Sequence, residues 1–268
     1  MGAGISADVA VVIAAAGSSA RMGGVGGGVG GGRTGGARFG GGNLKKEYRL
    51  SSSAYGSGDT AKDMDGTPLT VLGMAVKAFL ECARVGRIVI SVPPSGDTGE
   101  AAARAALPRR FFDPPFESRI LFAPGGASRR ASVHGALALL APDAPAQVLI
   151  HDGARPWVDR ELIDRTIDAV LVHRAVVPVQ PLVETPKEID REGRIVRHLR
   201  RSSVVAAQTP QGFSFPDILR AHEKAEEKEI REGIEYTDDA EVWAAFVGMV
   251  FTVPGSPGNK KITFPEDI

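Results

Sequence analysis

The sequence has little of several features that would narrow its function. Cys82 is its single cysteine, so no disulfide can form within the chain, and a reducing compartment is expected. Lysine and arginine together number 32, and aspartate and glutamate together also number 32, so the net charge is zero. A zero net charge argues against broad binding to nucleic acid or a membrane surface. No apolar run has the length of a membrane span, and no basic segment precedes the apolar residues 9–16 as in a signal peptide. We therefore expect a cytoplasmic protein with neither nucleic acid nor membrane as a partner.

Several catalytic motifs are missing as well. The turn after residue 14 lacks the last glycine of GxGxxG and has no GK[ST] of a P-loop. The chain shows no Ser–His–Asp order, no zinc-ligand spacing and no paired-carboxylate signal. It does have a set of small-residue turns and scattered cations, which are suited to binding an anion.

The sequence also contains a regular alternation of short apolar runs and helical patterns. It predicts strands at 9–14, 87–92, 119–123, 147–152 and 175–179. It predicts helices at 67–82, 100–107, 131–140, 160–173 and 215–231. This alternation is typical of an α/β fold with a mostly parallel sheet and helices on both faces. Because such sheets bind ligands at the carboxyl ends of their strands, the residues just after each strand are the first candidates for a site, and we treat residues 1–268 as one domain.

The alternation stops after residue 180. Residues 181–213 form two extended, charge-rich halves around the turn-like DREG, which predicts a hairpin protruding from the sheet. An exposed hairpin with open edges needs a partner to pair with or cover it. We therefore predict a dimerisation arm at about 181–207.

A glycine-rich insertion occupies residues 23–44, where 13 of residues 23–42 are glycine. Lengthening a short loop to this size costs only roughly 1 kcal/mol, because loop-closure entropy grows slowly with length. We expect this insertion to lack order in the absence of a ligand.

Two candidate anion sites come after the first strand. The turn AAAGSSARM allows a ligand to approach the backbone closely, although an ordinary tight turn would look the same. Arg21, Lys45 and Lys46 lie beyond it and could neutralise a triphosphate, although paired lysines commonly form a solvated basic surface.

The strands at 119–123 and 147–152 are also succeeded by polar residues. GGASRRASV offers Ser128 as a helix N-cap and Ser132 as a hydroxyl for a nucleotide. HDGARP places Asp152 where it could hold Mg²⁺ and Arg155 where it could bind phosphate, unless the two form a salt bridge with each other. His151 lacks nearby partners at ligand spacing and is interpreted as a strand-end histidine.

Further polar residues are scattered over the C-terminal third of the chain. YTDDAE predicts Thr237 as the N-cap of a helix with acidic residues in its first turn. Taken singly, each of the others has an ordinary explanation as a solvated surface group. They are Thr185, Lys187, Arg200, Arg201, Thr209, Gln211, Lys260 and Lys261.

Together the motifs AAAGSSARM, KKEY, GGASRRASV, HDGARP, QTPQGF, YTDDAE and GSPGNKKITFPEDI resemble, in this order, those of the 2-C-methyl-D-erythritol 4-phosphate cytidylyltransferase family. The resemblance covers the chain from about Val9 to Ile268. It implies a Rossmann-like sheet with a protruding β-arm that joins two subunits of a homodimer. It also implies a Mg²⁺-dependent transfer of CMP from CTP to the sugar-alcohol phosphate, with release of pyrophosphate.

The resemblance assigns roles to residues that match its motifs. Lys46 rather than Lys45 matches the family lysine, because it lies two residues before Tyr48. The catalytic cations implied are Arg21, Lys46, Arg201 and Lys261. The nucleotide-binding residues implied are Ala15, Ala16, Gly17, Arg21, Lys46, Gly126 and Ser132. The substrate-binding residues implied are Asp152, Arg155, Thr185, Arg201, Thr209, Thr237 and Lys261, with Asp152 also as the metal ligand.

This chain departs from the family pattern at several positions. The family loop between arginine and lysine is short, so the glycine-rich insertion is additional. Ala127 stands where many members carry an acid, which removes one nucleotide contact, and GARP replaces the commoner AARP. Two alternatives stay open at this point: a cytidylyltransferase for ribitol 5-phosphate or a related pentitol phosphate, and a non-catalytic nucleotide-binding module.

Overall fold

The computed structural model describes residues 8–17, 46–51, 58–94 and 97–267. The predicted glycine-rich insertion and the predicted cations Arg21 and Lys45 lie outside these residues. No helix in the described ranges combines the length and the apolar character that crossing a membrane requires.

Strands and helices alternate through most of the described chain. The strands are β1 (Val9–Ala14), β2 (Val85–Val92), β3 (Ile120–Pro124), β4 (Gln147–Asp152), β5 (Ala175–Pro181), β6 (Lys187–Ile189), β7 (Ile195–His198), β8 (Val205–Ala207), β9 (Gln211–Ser214) and β10 (Phe251–Pro254). The α-helices are α1 (Val71–Leu80), α2 (Asp97–Ala105), α3 (Arg129–Leu140), α4 (Arg160–His173), α5 (Phe215–Glu232) and α6 (Asp239–Phe246).

The main sheet has the strand order β10-β5-β9-β4-β1-β2-β3, with β8 paired to β5. Strand β1 is parallel to both β2 and β4, β2 is parallel to β3, and β10 is parallel to β5. Strands β8 and β9 are antiparallel to their neighbours. The predicted α/β fold with a mostly parallel sheet is therefore confirmed.

The sheet carries a hydrophobic core on each face. In β1, Val11 and Ile13 belong to one core, whereas Ala10 and Val12 belong to the other, because successive side chains of a strand point to opposite faces. Helices α1 and α4 pack on the first face, and α3, α5 and α6 pack on the second. A strand buried on both faces reads as a continuous apolar run, which is why VAVVIA predicted β1 so well.

The predicted hairpin over 181–213 was too long. Strands β6 and β7 do form a separate two-stranded antiparallel sheet, but β8 pairs with β5 and β9 lies between β4 and β5 in the main sheet. Strand β9 begins with a buried glutamine and contains Gly212, where an added Cβ would lie 2.5 Å from Cγ2 of Val170 on α4. Because glutamine and glycine stand where a central strand usually has an apolar run, the sequence pattern did not predict β9.

Two helix starts clarify the capping predictions. Ser128 is the N-cap of α3, and its hydroxyl accepts a hydrogen bond from the N–H of Ala131, as predicted. The predicted N-cap Thr237 is wrong by one residue. Asp238 caps α6 by accepting from the N–H of Glu241, while the Thr237 hydroxyl donates to the Glu241 carboxylate. A carboxylate at the cap also interacts favourably with the positive end of the helix dipole.

Candidate active site at the carboxyl edge of the sheet

The carboxyl ends of β1 to β4 meet at one edge, where backbone hydrogen bonds fix the loops to one another. The N–H of Ala15 donates to the Ser91 carbonyl at 3.1 Å, and the N–H of Gly153 donates to the Ala14 carbonyl at 3.0 Å. The N–H of Gly125 donates to the Val92 carbonyl at 2.7 Å. The loops after β1, β3 and β4 are thereby held as one surface.

The loop after β1 approaches the loop after β3 closely. A Cβ added at Gly125 would lie 2.4 Å from Cβ of Ala16, so only glycine permits this approach. Three residues of this loop were predicted to bind the nucleotide through their backbone. The N–H of Ala15 donates to Ser91, whereas the N–H groups of Ala16 and Gly17 make no hydrogen bond within the described part of the chain. These two residues are the ones whose backbone could receive an anion.

Gly126 and Ser132, both predicted to bind the nucleotide, contact each other. The Ser132 hydroxyl accepts from the N–H of Gly126 at 3.0 Å and donates to the Ser128 carbonyl at 2.8 Å. Ser132 is buried. Its hydroxyl therefore fixes the shape of the Gly-Gly turn at the start of α3.

Asp152, at the end of β4, lies among three cations. Its Oδ2 accepts a hydrogen bond from Nζ of Lys261 at 2.8 Å and lies 3.6 Å from Nε of Arg155. Its Oδ1 lies 3.5 Å from Nη2 of Arg129. Burial alone would raise the pKa of Asp152, but Arg129, Lys261 and Arg155 hold this pKa well below its ordinary value. Asp152 is therefore a carboxylate at every physiological pH.

Arg155 uses its guanidinium mainly on the protein backbone. It donates to the Asn259 carbonyl at 2.9 Å and to the Ala207 carbonyl at 3.5 Å, in addition to its ion pair with Asp152. Only 11% of its side chain is exposed. Arg155 therefore links the end of β8 and the segment at 259 to the loop after β4, and it forms the ion pair with Asp152 that the sequence left open as the alternative to phosphate binding.

His151 and Thr209 support Asp152 from inside the sheet. Burial lowers the pKa of His151 to about 4, so the ring is neutral at physiological pH. Its Nε2 lies 3.0 Å from the Arg155 carbonyl and must carry the proton, so its Nδ1 accepts from the Thr209 hydroxyl. That hydroxyl also accepts from the N–H of Asp152 at 3.0 Å. His151 is thus a strand-end histidine, as predicted, and the buried Thr209 holds the end of β4.

Lys46 reaches this edge from a distant part of the sequence. Its Nζ donates to the Ile262 carbonyl at 3.0 Å, and the N–H of Ile262 donates to the Ala154 carbonyl at 2.8 Å. Lys46 therefore lies against the same segment that carries Lys261. The structure brings together two of the predicted catalytic cations.

Three other predicted site residues make no hydrogen bond or ion pair with Asp152 or Lys261 within the described chain. Thr185 and Arg201 are exposed in and beside the β6–β7 hairpin, and Arg201 donates to the Val183 carbonyl at 2.8 Å. Thr237 is exposed just before α6, and its hydroxyl donates a hydrogen bond to the Glu241 carboxylate. One chain alone therefore does not bring Arg201 to Asp152.

Sequence reasoning missed four residues that shape the site. Arg129 contacts both Asp152 and Asp239. The buried side-chain amide of Gln208 donates to the backbone carbonyls of Ser256 at 2.9 Å and Asn259 at 3.3 Å. The side chain of Asn259 also donates to the Thr209 carbonyl at 2.7 Å. A signal existed for Arg129, because it opens the helix after β3 and so must lie at the carboxyl edge. Nothing in the sequence pattern distinguished Asp239, Gln208 or Asn259.

The predicted metal ligand can supply one coordination position. The described residues contain no group of three or more His, Cys, Asp and Glu side chains that could hold a metal ion. Oδ2 of Asp152 is hydrogen-bonded to Lys261, but Oδ1 has Arg129 only at ion-pair distance. A single carboxylate oxygen suits Mg²⁺ only when phosphate oxygens and water complete the shell.

The comparisons with known proteins agree with this geometry. A family model described as IspD: 2-C-methyl-D-erythritol 4-phosphate cytidylyltransferase matches residues 56–268. The chain is 38% identical over 201 residues to a bifunctional enzyme IspD/IspF of Mesorhizobium japonicum, covering 74% of this chain and 46% of that enzyme. A bifunctional enzyme IspD/IspF of Chelativorans sp. is 34% identical over 262 residues, covering 97% of this chain and 53% of that enzyme. The chain thus spans about half the length of the curated relatives it matches.

Solved structures give the same result. The crystal structure of 2-C-methyl-D-erythritol 4-phosphate cytidylyltransferase from Thermus thermophilus is 31% identical with a TM-score of 0.57, covering 74% of this chain and 85% of that chain. The 4-diphosphocytidyl-2C-methyl-D-erythritol synthase from Anaerococcus prevotii has a TM-score of 0.66 at 22% identity, covering 97% and 94% of the two chains, which shows the shared fold. By sequence match and by fold, this chain belongs to the IspD family, the 2-C-methyl-D-erythritol 4-phosphate cytidylyltransferases.

Proposed function

We propose that this chain transfers CMP from CTP to 2-C-methyl-D-erythritol 4-phosphate and releases pyrophosphate, in the supply of isoprenoid precursors. The observation that carries the proposal is the convergence of Lys261, Arg155 and Arg129 on Asp152 at the carboxyl edge of the sheet, in a member of this family. Lys46 is hydrogen-bonded to the carbonyl of Ile262, the residue after Lys261. That edge is where open α/β sheets bind ligands.

The proposed reaction is a substitution at phosphorus. A phosphate oxygen of the methylerythritol phosphate attacks the α-phosphorus of CTP, and the bond from that phosphorus to the bridging oxygen of pyrophosphate breaks. Two anions must be brought together, and negative charge gathers on the phosphoryl oxygens in the transition state. Catalysis therefore needs positioned cations more than a general acid or base.

The side chains take roles that agree with their positions. We assign Lys46, with Arg21, to the triphosphate and the transition state, and the backbone of Ala16 and Gly17 to the phosphates. Lys261 is assigned to the charge that develops during transfer, because its side chain is 43% exposed while its ammonium is bound to Asp152. Asp152 is assigned to the sugar-alcohol phosphate, whose hydroxyls can donate to a carboxylate.

Mg²⁺ is part of the proposal. When bound, it would neutralise charge on the phosphates of CTP, with Oδ1 of Asp152 as its protein ligand. The remaining ligands would come from the nucleotide and from water, since the described residues offer no group of three or more His, Cys, Asp and Glu side chains for a metal.

We further propose a homodimer in which the hairpin at 181–207 reaches the partner's site. Three apolar side chains of β6 and β7 are more than half exposed: Ile189 at 61%, Ile195 at 53% and Val196 at 57%. Arg201 and Thr185, which lie apart from Asp152 in one chain, would then act in the neighbouring active site. The single cysteine supports a cytoplasmic location, where thiols stay reduced.

A two-substrate assay tests the proposed reaction. Purified protein with CTP and Mg²⁺ should release pyrophosphate with 2-C-methyl-D-erythritol 4-phosphate and far less with ribitol 5-phosphate. Turnover of the ribitol compound alone would reassign the enzyme to the pentitol phosphates. Binding of CTP without pyrophosphate from either acceptor would indicate a non-catalytic nucleotide-binding module.

A further inference from the structure

Arg129 and Asp239 form a charged pair that the proposed mechanism does not use directly. Arg129 is the first residue of α3, and Asp239 is the first residue of α6. Nη1 of Arg129 donates to Oδ2 of Asp239 at 2.8 Å, and its Nη2 lies 3.5 Å from Oδ1 of Asp152. One guanidinium thus stands between two carboxylates, with a hydrogen bond to one of them only.

Asp239 is rigidly placed. Its side chain is 1% exposed, and its Oδ1 lies 3.3 Å from Nε2 of the fully buried His222 on α5. The helix start that carries Asp239 is fixed to β9 by Gln211, which donates to Asp238 at 2.9 Å and accepts from the N–H of Ala240 at 3.0 Å. Burial raises the pKa of Asp239, but Arg129 and His222 reverse the shift and hold this pKa below its ordinary value. Asp239 is therefore a fixed anion.

A second anion beside Arg129 affects which oxygen of Asp152 is available to a ligand. Its Oδ2 is already hydrogen-bonded to Lys261, so Oδ1 is the oxygen through which it can bind a ligand. A guanidinium readily forms two parallel hydrogen bonds with a carboxylate. Without the Asp239 carboxylate as a second acceptor, we expect the Arg129 guanidinium to hydrogen-bond Oδ1 of Asp152 and block that oxygen.

We propose that Asp239 is a positioning residue that holds Arg129 out of hydrogen-bond contact with Asp152 and so keeps Oδ1 of Asp152 open for the ligand. The inference rests on the proposed function in one respect only, which is that Asp152 binds the sugar-alcohol phosphate or its metal. The geometry of the two carboxylates and the guanidinium stands independently of it.

The experiment compares Asp239→Asn with a matched control at the carboxylate that holds the next arginine of α3. Arg130, the neighbour of Arg129, is also held by a carboxylate, Glu229, at 2.5 Å, but it makes no contact with Asp152. Glu229→Gln therefore removes an equivalent charge without touching the site. In wild-type and both variant proteins, crystal structures, thermal unfolding, and kcat and KM for 2-C-methyl-D-erythritol 4-phosphate are measured.

In Asp239→Asn we expect Arg129 to hydrogen-bond Oδ1 of Asp152. We expect KM to rise about ten-fold or more, the usual cost of removing an outer partner of a ligand group, with a smaller change in kcat. Glu229→Gln should lower the unfolding temperature and leave KM unchanged. In an Arg129→Gln background, Asp239→Asn should cause no further change in KM, because it acts through Arg129.

Two results would overturn the proposal: an unmoved Arg129 in the Asp239→Asn crystal structure, or the same change of KM in Asp239→Asn and Glu229→Gln. If the wild-type protein releases no pyrophosphate, the proposed function fails, and the crystal structures alone decide the positioning role. If Asp239→Asn does not fold, Arg129→Lys replaces it. Lysine lacks the planar fork that spans two carboxylates, so it should stay on Asp239 and leave Oδ1 of Asp152 open, with KM unchanged in a folded protein. A ten-fold rise of KM in Arg129→Lys would mean that Arg129 itself binds the ligand and would contradict the proposal.

Discussion

The carboxyl edge of the sheet and the β6–β7 hairpin are held in shape in opposite ways. At the edge, hydrogen bonds join residues far apart in sequence: Lys261 and Asp152 are 109 residues apart, and Lys46 and Ile262 are 216 apart. In the hairpin the ion pairs are local, as between Arg194 and Asp190, and almost every side chain is exposed. The edge is therefore shaped by the whole fold, whereas a two-stranded hairpin alone is only marginally stable. The edge is thus held by contacts within one chain, whereas the exposed hairpin is the part of the fold on which the proposed dimer rests.

The largest expected effect comes from removing a cation at the edge. Lys46→Ala should reduce kcat about 10²–10³-fold, because loss of one charge stabiliser costs roughly 2.7–4 kcal/mol in comparable sites. The Lys46 side chain is only partly buried and belongs to neither hydrophobic core, so the variant should still fold. Steady-state pyrophosphate release measures the change in kcat.

Lys77→Ala is the matched control for this variant. Lys77 lies on α1 and pairs with Glu81 at 2.8 Å, next to the end of the same helix and away from Asp152. Its removal should change kcat little, since exposed pairs of this type contribute at most about 1 kcal/mol to stability. A similar loss of turnover in both variants would show that Lys46 acts through folding rather than on the phosphates.

A second prediction compares isoleucines of the two regions. Ile90 in β2 is fully buried, whereas Ile195 in β7 is 53% exposed. Ile90→Ala should lower the free energy of unfolding by about 2–5 kcal/mol, because it removes apolar contacts and leaves a cavity. Ile195→Ala should change it by less than about 0.5 kcal/mol in the isolated subunit, as is usual at exposed positions. Urea unfolding at protein concentrations low enough to separate subunits measures both.

The same pair of variants also tests the dimer. Ile195→Ala should shift the monomer–dimer equilibrium to higher protein concentration, which analytical ultracentrifugation measures. An unchanged equilibrium would mean that the apolar side chains of the hairpin do not contact the partner.

The elements were predictable where a single physical pattern dominated. β1 and β4 are buried on both faces, and their apolar runs predicted their bounds to the residue. α4 follows the helical period and was likewise predicted to the residue. β9 was not predictable, because its stability comes from its place between β4 and β5 and from the contact of Gly212 with α4, not from its own composition.

The candidate site was predictable to the extent that strand ends determine it. Asp152 and Lys261 were both predicted as site residues, and they contact each other at 2.8 Å. Arg129 and Asp239 were missed, since an arginine in an RR pair and an aspartate in a DD pair look like ordinary helix-start residues. Their connection appears only when α5 packs against both α3 and α6 and the first residues of these two helices meet, which is a property of the tertiary fold.

Mixing two defective proteins gives the most direct test of whether the hairpin belongs to the neighbouring site. Lys46→Ala disables the edge of its own chain, and Arg201→Ala would disable the site that its hairpin enters. In a hybrid dimer, one site would carry both defects and the other would carry neither. Unfolding and refolding the two variants together should therefore restore about a quarter of wild-type turnover, because half of randomly paired symmetric dimers are hybrids with one intact site each. Each variant treated alone provides the baseline, and a mixture no more active than these baselines would place Arg201 in the site of its own chain or outside the reaction altogether.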